Sequence, residues 1–223
     1  MRLFSDRQQA GRVLAVALKA YRARSDLMVL GIPRGGMPVA AEVASRLGAP
    51  LDVFVVRKLG VPWADEVSMG AIASGGNVEF DNGIVSQFKV SQFELEAVLA
   101  RERAELRREE RFYRGERRPL SLTGKTVIVV DDGIDSGATM RAAVHGLRRF
   151  GPKFVVAAVP VADTSLHDTG SLDADDFVCS ITREPIHAVG AWYEDYDAVT
   201  DDEVRTLLHD ADDSAGQGHA LAF

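Results

Sequence analysis

The sequence predicts an α/β protein: a parallel, doubly wound sheet covered by helices, with a helical insertion. Three observations carry this reading. Four short runs rich in Val, Ile and Leu, at 27–32, 51–56, 127–130 and 154–160, have the length of buried strands. Segments of helical period follow the first and third of them, at 37–47 and 138–150, after Gly-containing turns. Alternation of strand and helix needs crossover connections, which make neighbouring strands parallel.

The elements follow in order. Ser5 is placed to cap a first helix, with Gln8 at its third position. Ala10, Val13, Leu14, Ala17, Leu18 and Tyr21 then share one helical face. Strand 27–32, helix 37–47 and strand 51–56 come next. A weaker pair, 69–73 and 77–80, suits a hairpin turning at Gly75 and Gly76. Ser91 and Glu94 form a capping box that opens a long helix to about Tyr113. That helix breaks the βα rhythm, so about 81–119 reads as an insertion. Strand 127–130, helix 138–150 and strand 154–160 restore the rhythm. Cys179 sits in an apolar run, 177–181, that reads as a buried strand. One domain spans 1–208, and 209–223 reads as a flexible acidic tail.

The stretch from 127 to 139, Val-Ile-Val-Val-Asp-Asp-Gly-Ile-Asp-Ser-Gly-Ala-Thr, carries the most chemistry. A strand delivers Asp131 and Asp132 to its carboxyl end, where open α/β sheets bind ligands. A turn of small and hydroxyl residues follows, then a helix whose N-terminal amides attract an anion. Together these suit a sugar phosphate, whose hydroxyls the acids orient directly or through Mg²⁺. Pro33, Arg34, Gly35 and Gly36 follow the first strand. The two glycines let backbone amides approach an anion, and Arg34 adds a fixed charge. Arg57 and Lys58 end the strand at 51–56, and 60–68 is polar enough to be a closing lid. Taken singly, the 33–36 turn and the basic strand end also read as ordinary connections. Two other phosphate motifs fail. Gly124-Lys125-Thr126 precedes its strand and has Pro119 where a P-loop needs glycine, and 31–36 lacks the G-x-G-x-x-G spacing.

The 127–139 order of apolar strand, two acids, two variable residues, Asp135, Ser136, Gly137, Ala138 and Thr139 resembles the phosphoribosyl-pyrophosphate (PRPP) motif of type I phosphoribosyltransferases. The 33–36 turn resembles that superfamily's pyrophosphate loop, which often holds a strained peptide bond. The resemblance covers about 1–208 in element order. It implies the type I phosphoribosyltransferase fold, with the insertion forming part of a hood over the acceptor. It also implies a Mg²⁺-dependent transferase that moves the 5-phosphoribosyl group of PRPP to a nitrogenous acceptor and releases pyrophosphate. In that scheme Asp131 and Asp132 hold the ribose hydroxyls and the metal, directly or through water. Residues Asp135 to Thr139 hold the 5-phosphate, and Arg34, Gly35 and Gly36 hold pyrophosphate. Arg57 and Lys58 stabilise charge building on the leaving group.

The segment from 187 to 196 resembles the acceptor side of purine phosphoribosyltransferases. His187, Trp192 and Asp195, or its neighbour Glu194, are the acceptor candidates, although His187 replaces the usual aromatic. The layout is closest to stand-alone bacterial phosphoribosyltransferase-like proteins of undefined acceptor. Their motif has Ala-Thr where this chain has Asp135 and Ser136. Asp135 instead matches the acid of 6-oxopurine enzymes, where it acts as general base. A local helix cap is the other reading of Asp135. Two further classes stay open: a PRPP- or nucleotide-sensing regulator without turnover, and a ribose-phosphate hydrolase on the same scaffold.

Composition bounds the setting. The 223 residues are enough for one sizeable core, and a hydrophobic content of 46% is that of a globular chain. Thirty-three acids against 26 bases give a net charge of -7, which disfavours general nucleic-acid binding. Eight arginines and five glutamates between 101 and 118 read mainly as a solvated helix face, with an anionic ligand or partner subunit as the alternative. A homodimer is compatible with this. A single cysteine excludes an internal disulfide, and no run reaches the ~18 apolar residues of a membrane span. With no signal-peptide core near Met1, the expected location is the cytoplasm.

Overall fold

A computed structural model describes residues 3–22, 24–135, 137–164, 172–183 and 188–220, the last six as backbone only. In chain order the elements are α1 (Arg7–Ala17), β1 (Leu27–Gly31), α2 (Gly36–Leu47), β2 (Leu51–Val53), β3 (Val56–Val61), β4 (Ala64–Ala73) and β5 (Asn77–Phe80). They continue with α3 (Asn82–Gln87), α4 (Gln92–Arg114), β6 (Thr126–Val130), α5 (Ala138–Arg148), β7 (Phe154–Asp163), β8 (Asp176–Arg183) and α6 (Asp201–Ala220).

Five parallel strands make the central sheet in the order β2-β1-β6-β7-β8. Both faces of this sheet are covered, as the unbroken apolar strands require. Along β6, Ile128 and Val130 join a cluster with Leu14 of α1 and Val39 of α2. The alternate residues Val127 and Val129 join a second cluster with Met140, Ala143 and Leu147 of α5. Period-two alternation thus feeds two cores from one strand. Each such aliphatic side chain contributes about 1.5–3 kcal/mol on burial. The strand order reverses direction between β1 and β6, since β2 lies outside one and β7 outside the other. That switch point is where a doubly wound sheet opens a crevice.

The helical insertion packs beside a second, antiparallel sheet of order β3-β4-β5. The hairpin expected at Gly75 and Gly76 forms there, with Ala73 opposite Asn77. The strand expected over 51–56 is divided. After Val53 the chain leaves the central sheet, and the Val55 N–H donates to Ser74 Oγ at 3.0 Å. Val56 onward then pairs with β4. The polar segment 60–68, expected as a lid loop, is the far end of this β3–β4 hairpin.

Other expectations shift for local reasons. Asp6, not Ser5, caps α1: its carboxylate accepts the Gln9 N–H at 2.6 Å, and a negative group suits a helix N-terminus. Ala15 rather than Ala17 completes the buried face of α1. The Ser91–Glu94 capping box opens α4 as expected. Residues 101–118 are not simply a solvated face. Glu102 is buried, and Arg114 and Arg117 reach Asp52 at 3.1 and 3.4 Å. The stretch expected to be a loose tail from 209 continues α6 to Ala220. Thr200 and Glu203 cap that helix reciprocally, Leu208 is buried, and Arg117 pairs with Asp212 at 2.5 Å. Cys179 lies on the edge strand β8, half-buried, with its thiol pushed up to about 11 by burial. Among the described residues, no helix is long and apolar enough to cross a membrane.

Candidate active site

Parallel pairing of β1 with β6 sets Gly31 opposite Val130. Two loops therefore leave the same end of adjacent strands and face each other at the switch point. One is the turn from Pro33 to Gly36, the other runs from Asp131 to Gly137. The Pro33–Arg34 peptide bond is cis. The loops touch. A Cβ on Gly35 would lie 2.2 Å from Asp132 Oδ2, and one on Gly36 would lie 2.7 Å from the Val130 carbonyl oxygen. Only glycine allows this approach at either position.

Between the loops lies a cleft of about 280 Å³. Pro33, Lys58, Asp131, Asp132, Asp135, Gly137, Thr139 and Val189 line it. Gly137, at φ 76°, is the N-cap of α5, so that helix aims its N-terminus at the cleft from a backbone cap. A second cleft of about 400 Å³ adjoins the first through Pro33 and Lys58. Arg34, Arg57, Gly60, Asp65, Arg101, Glu102, Glu109 and Tyr113 border it. The hairpin end at 60–68 thus stands over this second cleft.

The charges are arranged unequally. Burial, and then Asp132 beside it, pushes the Asp131 carboxyl well above the usual range. Asp132 Oδ2 accepts Arg7 Nε at 2.9 Å and the Tyr196 hydroxyl at 2.9 Å. The Arg7 guanidinium also lies 3.8 Å from the Tyr196 ring centre. Burial alone would lower the Arg7 guanidinium, but Asp132 reverses that and holds it above its ordinary value. The Arg7–Asp132 pair is about 10% exposed on each side chain, and removing one partner of such a buried pair costs about 3–5 kcal/mol.

Arg57 is held in the second cleft by Glu102 at 2.7 Å and Glu109 at 2.5 Å, both from α4. Burial lowers Arg57 and these carboxylates more than offset it. Glu109 is raised, since burial outweighs the cation it shares with Glu102. Arg34 borders the second cleft and sits 3.6 Å from Asp201 at the start of α6.

The structure thus brings Asp131, Asp132, Asp135, Gly137, Thr139 and Lys58 to one cleft, and Arg34 and Arg57 to its neighbour. Ala138 is the first residue of α5. Ser136 and His187 lie outside the described residues. The other two acceptor candidates are elsewhere. Trp192 packs on a small core of Phe4, Ala10, Val161 and Tyr193. Asp195 accepts the Asp197 N–H at 3.1 Å and so closes its own turn. Glu194 ties the chain to the N-terminus, its N–H donating to the Phe4 carbonyl at 2.8 Å. From that segment Val189 lines the cleft instead, against Gly133. Sequence reasoning missed Arg7 and Tyr196. Arg7 is 125 positions from Asp132, and no local pattern links them.

Residues 8–198 match the family described as phosphoribosyl transferase domain. The chain belongs to this family. A Mycobacterium tuberculosis protein of strain H37Rv, named as a putative phosphoribosyl transferase, is 43% identical over 209 residues. These cover 93% of this chain and 47% of that protein, so the chain spans about half the length of the curated relatives it matches. The crystal structure of TT1426 from Thermus thermophilus shares 40% identity at a TM-score of 0.76. It covers 94% of this chain and 99% of the solved one. A bifunctional protein PyrR of Chloroflexus aurantiacus is 34% identical over 122 residues, 54% of this chain and 61% of its own length. This phosphoribosyl transferase domain has the expected fold: a mostly parallel central sheet flanked by helices.

Proposed function

We propose that this phosphoribosyl transferase domain transfers the 5-phosphoribosyl group of PRPP to a heterocyclic nitrogen and releases pyrophosphate. The carrying observation is the opposition of two loops across the switch point, with acids and a helix N-terminus on one side and cations on the other. Amides around Gly137 to Thr139 would hold the 5-phosphate at the start of α5. Asp131 would orient the ribose hydroxyls. Lys58, Arg34 and Arg57 would stabilise charge on pyrophosphate as the bond from C1 to oxygen breaks. The acceptor nitrogen then bonds to C1 and loses its proton. Asp135, on the cleft wall, is the base for that proton, which favours a 6-oxopurine or similar N–H heterocycle.

The donor set fits Mg²⁺, which typically takes one or two carboxylates plus substrate oxygens. Among the described residues no three His, Cys, Asp or Glu side chains converge, so ligand oxygens would complete the shell around Asp131 and Asp132. When bound, the ion would neutralise diphosphate charge. The reading further places the reaction in nucleotide metabolism, as purine salvage if the acceptor is a purine, and in the cytoplasm.

A second reading is a PRPP- or nucleotide-sensing regulator. The engagement of Arg57 by Glu102 and Glu109 favours it, since a cation meant for pyrophosphate is already paired. One experiment separates the readings. The protein is given PRPP and Mg²⁺ with a panel of purine, pyrimidine and pyridine bases, and pyrophosphate release and thermal midpoint are followed. At 100 times Kd, binding adds about 2.7 kcal/mol. That is a rise of roughly 5–10 °C for a domain of this size. Pyrophosphate release with one base supports the transferase. A rise without release supports the regulator, and ribose phosphate released without any base supports a hydrolase. No rise and no release at millimolar PRPP would refute all three.

A further inference from the structure

The acid pair is not symmetric. Asp132 is tied from both ends of the chain. Its Oδ2 accepts Arg7 and Tyr196, and its carbonyl oxygen accepts the Tyr193 hydroxyl at 2.6 Å. Arg7 is itself fixed by its stack on Tyr196 and by donating Nη1 to the Asp197 carbonyl at 2.8 Å. The same Oδ2 lies directly beneath Gly35 of the opposite loop. Asp131 differs. Its Oδ1 accepts the Asp132 N–H at 2.9 Å, and the cation that acts on it is Lys58 across the cleft, at longer range than the direct contact of Arg7 with Asp132. A ribose hydroxyl seeking Asp132 must compete with a guanidinium and a phenol. One seeking Asp131 meets neither.

We propose that Arg7 and Tyr196 are positioning residues that divide the work of the acid pair, holding Asp132 as a tie between the two loops and leaving Asp131 to meet the ligand. This rests on the PRPP reading of the cleft. Arg7 acts through Asp132 and touches no reacting atom. It opens α1, one position before the residues that the family matches.

The test is isothermal titration of the full chain with PRPP and Mg²⁺. Arg7→Met keeps the stem and removes the charge. It should weaken PRPP binding on the order of 10–100-fold, the usual cost of losing a group behind a ligating carboxylate, here Asp131, whose loop the tie holds. Arg7→Lys should recover part of the loss. Asp132→Asn should weaken binding similarly, and the double variant should lose no more than the worse single one, because both break the same tie. The loss from Asp131→Asn should multiply with either. Tyr196→Phe deletes one hydroxyl and leaves the ion pair, so it keeps the test alive if Arg7→Met does not fold. Wild-type affinity in both Arg7→Met and Tyr196→Phe would overturn the inference and leave the PRPP reading standing. So would losses from Arg7→Met and Asp132→Asn that multiply. A wild-type protein that takes up no PRPP with Mg²⁺ would overturn the PRPP reading itself, and the inference with it.

Discussion

Gly36→Ala tests whether the contact between the two loops builds the cleft. A Cβ there would lie 2.7 Å from the Val130 carbonyl oxygen, 2.9 Å from Asp131 Cα and 3.1 Å from Asp131 Oδ1. Optimal carbon–carbon contact is about 3.5–4.0 Å, so the overlap with Cα alone is roughly 0.6–1.1 Å. Val130 cannot retreat. It closes β6, which is paired on both sides, and its carbonyl accepts the Ile32 N–H at 2.9 Å. The turn from Pro33 to Gly36 must therefore move outward. Overpacking of this kind costs about 1–3 kcal/mol. Alanine's better helix propensity returns at most about 1 kcal/mol at the start of α2. The net cost is then up to about 3 kcal/mol, and at about 2–4 °C per kcal/mol the thermal midpoint should fall by up to roughly 12 °C. PRPP affinity should fall as well, because the displaced turn is one wall of the site. Scanning calorimetry with and without PRPP measures both. Gly83→Ala in α3 is the control, where an added Cβ meets only the Asp81 side chain. A Gly36→Ala midpoint at or above that of the parent would refute the reasoning.

Asp135→Ala should lower kcat by about 10²–10⁴-fold with PRPP affinity little changed if Asp135 is the general base. A loss on the order of 1 kcal/mol in stability with turnover kept would identify a local cap instead. Amide hydrogen exchange across 60–68 should slow on addition of PRPP and Mg²⁺ if the hairpin end closes over the second cleft. Equal protection with and without ligand would mark it as a fixed wall. Asp26 is held down to about 2 by hydrogen bonds from Arg24 and Thr126. A depressed carboxyl stabilises the fold above its unfolded value and loses that contribution as pH falls through its folded value. Asp26→Asn should therefore be less stable than the parent at neutral pH. The difference should close between about pH 4 and pH 2 in an acid titration followed by circular dichroism.

The parts legible in sequence are those whose signal is local. Val127 to Val130 are apolar on both faces of a strand, and that alone predicts a buried parallel neighbour. Asp131, Asp132 and Asp135 follow within a few residues, so a linear motif captures their shared cleft. Gly35 and Gly36 are legible as a turn that allows close approach, yet what approaches them is the other loop, at Asp132, Val130 and Asp131. The misses are non-local. The 60–68 segment has a lid's composition, but its conformation is set by pairing with the strands around it. The stretch after 209 has a tail's composition, but the Thr200 cap and the buried Leu208 carry a helix through it. Resemblance over a short segment puts Trp192 and Asp195 at the acceptor. The tether of that segment to Phe4 and Ser5 turns them elsewhere.

The same non-local ties bear on how a chain of net charge -7 would hold the proposed anion. Arg34 and Arg57 are not left as bare cations. Asp201 of α6 stands by one, and Glu102 and Glu109 of α4 hold the other. Arg57 is the mostly buried one, where an isolated guanidinium is costly, and its paired acids remove that cost in the absence of ligand. A diphosphate reaching the second cleft would then exchange partners with Glu102 and Glu109 rather than find an empty field, so Arg57 contributes only the difference between two ion pairs. Most of the binding energy would then come from groups that give up only water, the amides at the start of α5. The insertion helix α4 thus supplies the acids that hold Arg57 as well as a cover for β3.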